Sequence, residues 1–321
     1  SCPRISIADL RHPSAMNHPL ELLDIRKSYG DFAAVGGVSM TVPAGSIFGL
    51  LGPNGAGKTT TIRMMLDILA PDSGEVRFFG HPRRDEDLRR VGYLPEERGL
   101  YRKMTVVEQL LFLAEIRGLP RRTALPKVLE WLERVELGAW GKKKVEELSK
   151  GMQQKIQLIG TVLHEPDLLI LDEPFSGLDP LNQELFRQLL FDYQKAGRSI
   201  LLSTHGMEFA ERLCDQICLI SRGKVVLSGD LKEIKRSRGG NAYRLIGADG
   251  PLGAADLERL EKTPGVTSVV SIEGGAKLLL GTDVEGADVL PHLVENLRVR
   301  EFRSEEPGLE QIFLEAVRHA A

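Results

Sequence analysis

An α/β fold built on a mainly parallel sheet is what this sequence predicts, and three observations carry that prediction. Short apolar runs alternate with amphipathic helical stretches from Leu20 to Ser228, the order that a parallel sheet with crossover helices requires. A glycine-rich loop, Gly52 to Gly57, lies between one such run and one such helix. At 321 residues, with 42% hydrophobic and 27% charged side chains, the chain has globular proportions and the length for two domains.

The elements follow in order. Leu20 to Tyr29 is apolar with β-branched punctuation and predicts a strand. Val38, Met40 and Val42 alternate with polar residues, the period of a half-buried strand. Ser46 to Leu51 predicts a buried strand that feeds the glycine loop and a helix from about Lys58 to Leu69, ended by Pro71-Asp72-Ser73-Gly74. Strands follow at Glu75 to Phe79 and Val91 to Leu94, the second stopped by Pro95. Thr105 and Glu108 form a capping box ahead of Val106, Leu110, Leu113 and Ala114 at helical spacing. Leu125, Val128, Leu129, Leu132 and Val135 mark another helix, and a third runs from near Ser149 to about Leu163. A strand at Leu168 to Leu171, a helix at Leu181 to Gln194 and a strand at Ser199 to Ser203 come next. A helix near Glu208 to Leu213 precedes two strands around the turn Arg222-Gly223.

Ile234 to Gly240 (IKRSRGG) is basic and glycine-bearing, and reads as a solvated linker. Beyond it the pattern is β-α-β-β-α-β, from Tyr243 to Arg303, the ferredoxin-like order. A last helix, Leu309 to Arg318, carries Ile312, Phe313 and Val317 on one face. The expected organisation is a flexible tail over 1–19, one domain over 20–237 and a small accessory domain over 238–321.

Composition excludes several classes. A formal net charge of −3 provides no global basic field for nucleic acid or membrane. No run approaches the ~18 consecutive apolar residues of a membrane span, and the N-terminus lacks the apolar core of a secretory signal. Cys2, Cys214 and Cys218 are too few and too odd for a disulfide framework, which fits a reducing compartment. Cys214 and Cys218, expected one helical turn apart, lack the further ligands of a zinc set and read as buried structural thiols.

The chemistry begins at Gly52-Pro-Asn54-Gly55-Ala56-Gly57-Lys58-Thr59, which fits G-x-x-x-x-G-K-[ST] between a strand and a helix. Glycines let backbone N–H groups turn inward as an anion nest, and the helix N-terminus adds unsatisfied donors. Lys58 places a point charge against β- and γ-phosphates, Thr59 offers a hydroxyl to Mg²⁺, and Thr60 reaches the α-phosphate. Leu168 to Asp172-Glu173-Pro174 is an apolar strand ending in two carboxylates at the sheet edge where ligands bind. Asp172 is suited to hold Mg²⁺ through water, and Glu173 to accept a proton from attacking water. Ser203-Thr204-His205 ends another strand, and the His205 imidazole suits a γ-phosphate contact. Leu148-Ser149-Lys150-Gly151-Met152-Gln153-Gln154-Lys155 opens a helix capped by Ser149. It is a second anion site without a lysine loop of its own, suited to a phosphate from another subunit.

This set resembles the nucleotide-binding subunit of an ATP-binding cassette (ABC) transporter, over about Leu20 to Ser237. Walker A is Gly52 to Thr60, the signature Leu148 to Lys155, Walker B Leu168 to Asp172 with Glu173 following, the D-loop Ser176 to Asp179, and the switch His205. Tyr29 falls where the family's adenine-stacking aromatic belongs. The resemblance implies a P-loop ABC-type ATPase with an antiparallel β subdomain and a helical subdomain, binding ATP and Mg²⁺. It implies a homodimer in which Ser149, Gly151 and Met152 meet the nucleotide on the other chain. The signature departs from LSGGQ at Lys150 and Met152, and Glu96 stands where the Q-loop glutamine is expected, as a further metal-side candidate. The segment Gly92 to Tyr101 (GYLPEERGLY) resembles a branch of bacterial exporter ATPases related to sodium and drug efflux, which also carries a small appended domain ending like Leu309 to Glu315.

What the resemblance implies is an ATP-hydrolysing subunit that powers a separate membrane-spanning permease, for export, at the cytoplasmic face of the cell membrane. Leu100 to Leu163 would dock that partner; nucleic acid is not an expected partner. The rival is a soluble ABC ATPase acting on ribosomes or chromosomes. Such relatives usually carry two cassettes or long coiled coils, and the spacing from Lys58 to Ser149 leaves no room for the latter. A GTPase lacks support because no Asn-Lys-x-Asp sequence is present.

Overall fold

The structure is a computed structural model that describes residues 18–320, apart from 98, 239, 240, 282 and 306. The tail expected over 1–19 falls mostly on residues 1–17, with Cys2, outside the described residues. The chain forms two compact units that divide between Gly229 and Asp230.

In the first unit, β1 (Leu20–Tyr29) and β2 (Phe32–Val42) form an antiparallel hairpin. β3 (Ile47–Leu51) leads through the glycine loop into α1 (Lys58–Met65). β4 (Ser73–Phe78) and β5 (His81–Pro82) then extend the hairpin into a four-stranded sheet, ordered β2-β1-β4-β5. β6 (Val91–Leu94) is followed by the helical region of α2 (Val106–Ile116), α3 (Arg121–Arg134) and α4 (Lys150–Val162). β7 (Leu168–Asp172), α5 (Pro180–Lys195), β8 (Ser199–Thr204), α6 (Met207–Leu213), β9 (Gln216–Ser221) and β10 (Lys224–Asp230) complete it.

The central sheet is six-stranded, ordered β10-β9-β3-β8-β7-β6, and β3, β6, β7, β8 and β9 run parallel. Every residue of β3, β7 and β8 is buried, as the central strands of a parallel sheet covered on both faces must be. α1 contributes Ile62, Met64 and Met65 to a core shared by both sheets. The helical region has its own core, including Leu110, Leu111, Val128, Leu132, Ile156 and Ile159. Register positions the chemistry: Asp172 pairs with Ser203 and Leu51 with Thr204, so the glycine loop, Glu173 and His205 all leave the sheet at one carboxyl edge.

The second unit contains α7 (Leu231–Arg238), β11 (Ala242–Gly247), α8 (Ala254–Glu261), β12 (Val266–Ile272), β13 (Gly275–Leu280), α9 (Gly286–Asn296), β14 (Val299–Ser304) and α10 (Leu309–Ala320). Its sheet is antiparallel, ordered β12-β13-β11-β14, which is the ferredoxin-like arrangement the order of elements predicts. Leu245, Leu278, Leu260 and Leu293 form its core.

Three expectations need correction. The basic segment expected as an open linker over 234–240 is helical as far as it is described, within Leu231–Arg238, and residues 239 and 240 lie outside the described residues. Asp230 Oδ1 accepts from Lys232 N and Glu233 N at the start of that helix, and Leu231 and Ile234 are buried at helical spacing. α1 stops at Met65 rather than Leu69, because Asp67 turns into the left-handed region at φ 58°. Cys214 and Cys218 are buried but do not share a helix; Cys214 follows α6 and Cys218 lies in β9. Burial pushes the Cys218 thiol up to about 12, so it is inert as a nucleophile.

Candidate functional site

The phosphate loop can have this shape only with glycine at its two ends. Gly52 leaves β3 at φ 156°, and a Cβ there would lie 2.2 Å from Ile220 O. Gly57 takes φ 104° and a Cβ would meet Ala34 O at 2.6 Å. Gly57 caps α1 without a side chain and no acidic residue occupies the first turn, so the helix presents its N-terminal donors to an anion. Lys58 is 6% exposed. Its Nζ donates to Gly52 O at 2.8 Å and Pro53 O at 3.2 Å, and lies 3.6 Å from Glu173 Oε1. These contacts hold the ammonium over the loop, with a carboxylate that phosphate would displace.

Above the loop is a cleft of about 430 Å³. It brings together Tyr29, Asn54, Gly55, Ala56, Gly57, Lys58, Thr59, Thr60, Glu96 and Glu173, all singled out from sequence, along with Phe32 and Ala34, which were not. Tyr29 and Phe32 pair across the hairpin turn of β1 and β2, 53% and 64% exposed. Two exposed aromatic rings lining the same cleft as the phosphate loop suit a stacked base. The sequence signal for Phe32 was its place directly after Gly30-Asp31, opposite Tyr29.

At the sheet edge, Asp172 is 1% exposed. Its Oδ1 accepts from the Ser203 hydroxyl, while Oδ2 is buried without a hydrogen-bond partner among the described residues. A buried carboxylate oxygen in that state fits a hydrated cation. Among the described residues no three acidic, His or Cys side chains form a ready-made cage. Mg²⁺ characteristically uses one or two carboxylates plus phosphate oxygens, so Asp172 with the Thr59 hydroxyl fits that ion. The charge of Asp172 and, above all, burial push the nearby Tyr93 phenol up to about 12.

Glu173 takes φ 48°, a strained conformation for a non-glycine residue. Its Oε1 accepts from His205 N at 3.0 Å and lies 2.9 Å from His205 Nδ1; Oε2 accepts from Thr204 Oγ1 at 3.2 Å. Its own N donates to Ser203 O at 3.1 Å. The carboxylate is thus fixed by the end of β8, and His205 is oriented by Glu173 while its side chain stays 55% exposed. Ser203 and Thr204 carry no functional motif of their own in the sequence. Their signal was membership of the strand end that carries His205.

Gly52, Asp172 and His205 lie at the sheet edge beside this cleft without lining it, and Ser149, Gly151, Met152 and Asp179 do not line it either. Ser149 caps α4, its Oγ accepting from Met152 N at 3.3 Å. Asp179 caps α5 by accepting from Asn182 N at 3.0 Å; these bonds to Asn182 hold its carboxyl below the usual range. A second cleft of about 420 Å³ is lined by Glu96, Glu97, Lys150, Gln154, Gln157, Glu173, Ser176 and Gly177. Glu96 and Glu173 therefore border both clefts.

Comparison with known proteins agrees with this geometry. The ABC transporter family model matches residues 35–176, and a model described as the C-terminal domain of DrrA1-3-like ATP-binding proteins matches residues 229–317. The "Uncharacterized ABC transporter ATP-binding protein YhaQ" of Bacillus subtilis (strain 168) is 44% identical over 293 residues, 91% of this chain and 96% of that protein. "Nod factor export ATP-binding protein I" of Burkholderia lata is 40% identical over 214 residues, 66% of this chain and 70% of the relative. A solved structure described as the ATP-binding subunit of an ABC transporter superposes with a TM-score of 0.64 at 33% identity, covering 68% of this chain and 93% of the other.

Proposed function

Because this chain belongs to the ABC transporter ATP-binding proteins, we propose that it is the subunit that hydrolyses ATP for a separate membrane-spanning permease, and that the transport is export. The chain is an ABC ATPase; the partner, the direction and the residue roles are the proposal. The observation that carries it is the Glu173 carboxylate, held by Thr204 and His205 beside the loop lysine. Glu173 accepts the proton of attacking water, His205 contacts the γ-phosphate, and Lys58 exchanges Glu173 for phosphate. Bound Mg²⁺ supplies charge neutralisation of the phosphates, with Thr59, Asp172 and Glu96 as the residues that would hold it. Tyr29 stacks the adenine.

The Ser149-capped start of α4 lies outside the chain's own nucleotide cleft. This supports a head-to-tail homodimer in which Ser149, Gly151 and Met152 meet the nucleotide of the second copy, with Asp179 between the sites. Differential contact of ATP with the closed dimer then favours closure, and loss of the γ-phosphate reverses it. Export is supported by the named function of the Nod factor export relative. No described helix is long and apolar enough to cross a membrane; the proposed location is the cytoplasmic face of the cell membrane, through the permease. We assign catalysis to the first unit, which closes at Gly229 rather than at the expected residue 237, and an accessory role to the second, which includes the expected 238–321 domain.

Light scattering of the full chain with ATP and Mg²⁺ tests the shared site. The expected result is an ATP-dependent dimer in the Glu173→Gln variant. A chain that stays monomeric while ATP is bound overturns the composite site.

A further inference from the structure

Helix α4 carries two buried amides one turn apart, and each grips an acid-bearing segment. Gln154 Nε2 donates to Pro174 O at 2.8 Å, directly after Glu173. Gln157 Nε2 donates to Glu97 O at 3.1 Å and reaches Pro95 O at 3.4 Å. Those two carbonyls flank Glu96. Both amides are 7% exposed, and a buried amide is stable only where its hydrogen bonds are made. The segment around Glu96 lies past the end of β6 at Leu94, so its peptide groups have no ladder to fix them. Gln157 supplies that fixation from a helix that Ser149 caps.

We propose that Gln157 is a positioning residue for cation-dependent nucleotide binding: it clamps the peptide groups on either side of Glu96 and so aims that carboxylate into the nucleotide cleft. This rests on the reading above that the cleft takes ATP with Mg²⁺ and that Glu96 faces the cation. Glu96 borders both clefts, so a small rotation of the 95–97 segment decides which one its charge serves. Because the clamp is on α4, movement of the signature end of that helix is passed to Glu96 without any direct contact between Glu96 and the signature.

The test uses the full chain in the non-hydrolysing Glu173→Gln background. Its readout is the rise in Tm given by a fixed ATP concentration as Mg²⁺ is titrated, which requires no turnover. Gln157→Leu keeps volume and burial but removes the donor. The expected Mg²⁺ midpoint rises about tenfold, the lower range for loss of an outer partner of a metal ligand, while the shift at saturating Mg²⁺ is kept. Glu96→Gln produces the same displacement, and the double variant produces no more than either alone. An unchanged midpoint in Gln157→Leu overturns the proposal, as do additive displacements or an unchanged midpoint in Glu96→Gln. Gln157→Glu is isosteric and presents acceptors to two carbonyls; it gives the same displacement should the leucine variant not fold. A parent that shows no ATP-dependent shift instead overturns the proposed function itself.

Discussion

Replacing Glu173 with glutamine separates the chemistry of this site from its architecture. The carboxylate receives His205 N at 3.0 Å, the His205 ring at 2.9 Å and Thr204 Oγ1 at 3.2 Å, with Lys58 at 3.6 Å. A glutamine of the same shape keeps its oxygen on His205, and the Thr204 hydroxyl reverses to accept from the new NH₂. The fold therefore loses little. Lys58 keeps Gly52 O and Pro53 O and no longer has a carboxylate to surrender when phosphate arrives, so ATP affinity stays equal or rises. The proton acceptor is gone, which costs about 10²–10⁴ in rate for a general base, or about 2.7–5.4 kcal/mol in barrier at ~1.36 kcal/mol per decade. Phosphate release under saturating ATP, run beside equilibrium binding of a fluorescent ATP analogue, reads both quantities. Turnover within threefold of the parent refutes Glu173 as the base; weakened binding refutes the account of Lys58.

Other outcomes follow from the same geometry. Lys58→Ala abolishes measurable nucleotide binding in the same titration, and retained tight binding contradicts the phosphate cradle. Phe32→Ala weakens ATP binding by about 1–3 kcal/mol, the value of one stacked ring, with kcat unchanged; an unaltered Kd removes Phe32 from the base site. Burial, reinforced by the Arg117 charge, pushes the His164 imidazole down to about 4, below the ~6.5 of an unfolded histidine. The unfolded chain then binds the extra proton first, so this contribution is complete above about pH 6.5 and is lost as pH falls toward 4. Discounted for partial solvent exposure it amounts to about 2 kcal/mol. His164→Gln flattens the acid limb of Tm against pH between 6.5 and 4, and an unchanged limb shows that other groups set it.

The parts of the fold that could be read from sequence were those where local chemistry and long-range packing agree. β3, β7 and β8 are wholly buried, so their apolar runs had one interpretation. The loop from Gly52 to Lys58 was complete in the sequence as a glycine-spaced pattern, as was the Ser149 cap, although the groups that demand glycine at its ends, Ile220 O and Ala34 O, are remote in the chain. Phe32 was less visible because an aromatic residue in a hairpin reads as ordinary strand content until Tyr29 is seen opposite it. Ser203 and Thr204 were hidden for a different reason. Their roles depend on parallel pairing of β7 and β8, whose residues lie 31 positions apart in the chain, and no local pattern encodes register. The helix at Leu231–Arg238 was misread because its basic composition outweighed Asp230 as a cap and the apolar pair Leu231 and Ile234.

Register also explains how a buried apolar sheet produces a precise polar site. Asp172 and Glu173 are neighbours in sequence, yet they face different tasks because one ends β7 and the other begins the turn beyond it. Asp172 pairs with Ser203 in the ladder and keeps one oxygen unpartnered among the described residues. Glu173, one residue on, breaks from the strand at φ 48° and folds its carboxylate onto Thr204 and His205. A slip of one residue would exchange the faces of every side chain on β7, taking Asp172 off Ser203 and Glu173 off Thr204 and His205. The apolar residues Leu168 to Leu171 are buried on both sides of the sheet, so alternation alone does not choose between the two registers. The polar bonds at the strand ends do. Ser203 and Thr204 therefore serve the site's geometry and the fold at once: the hydroxyls that bond the two carboxylates also favour this alignment of β7 and β8.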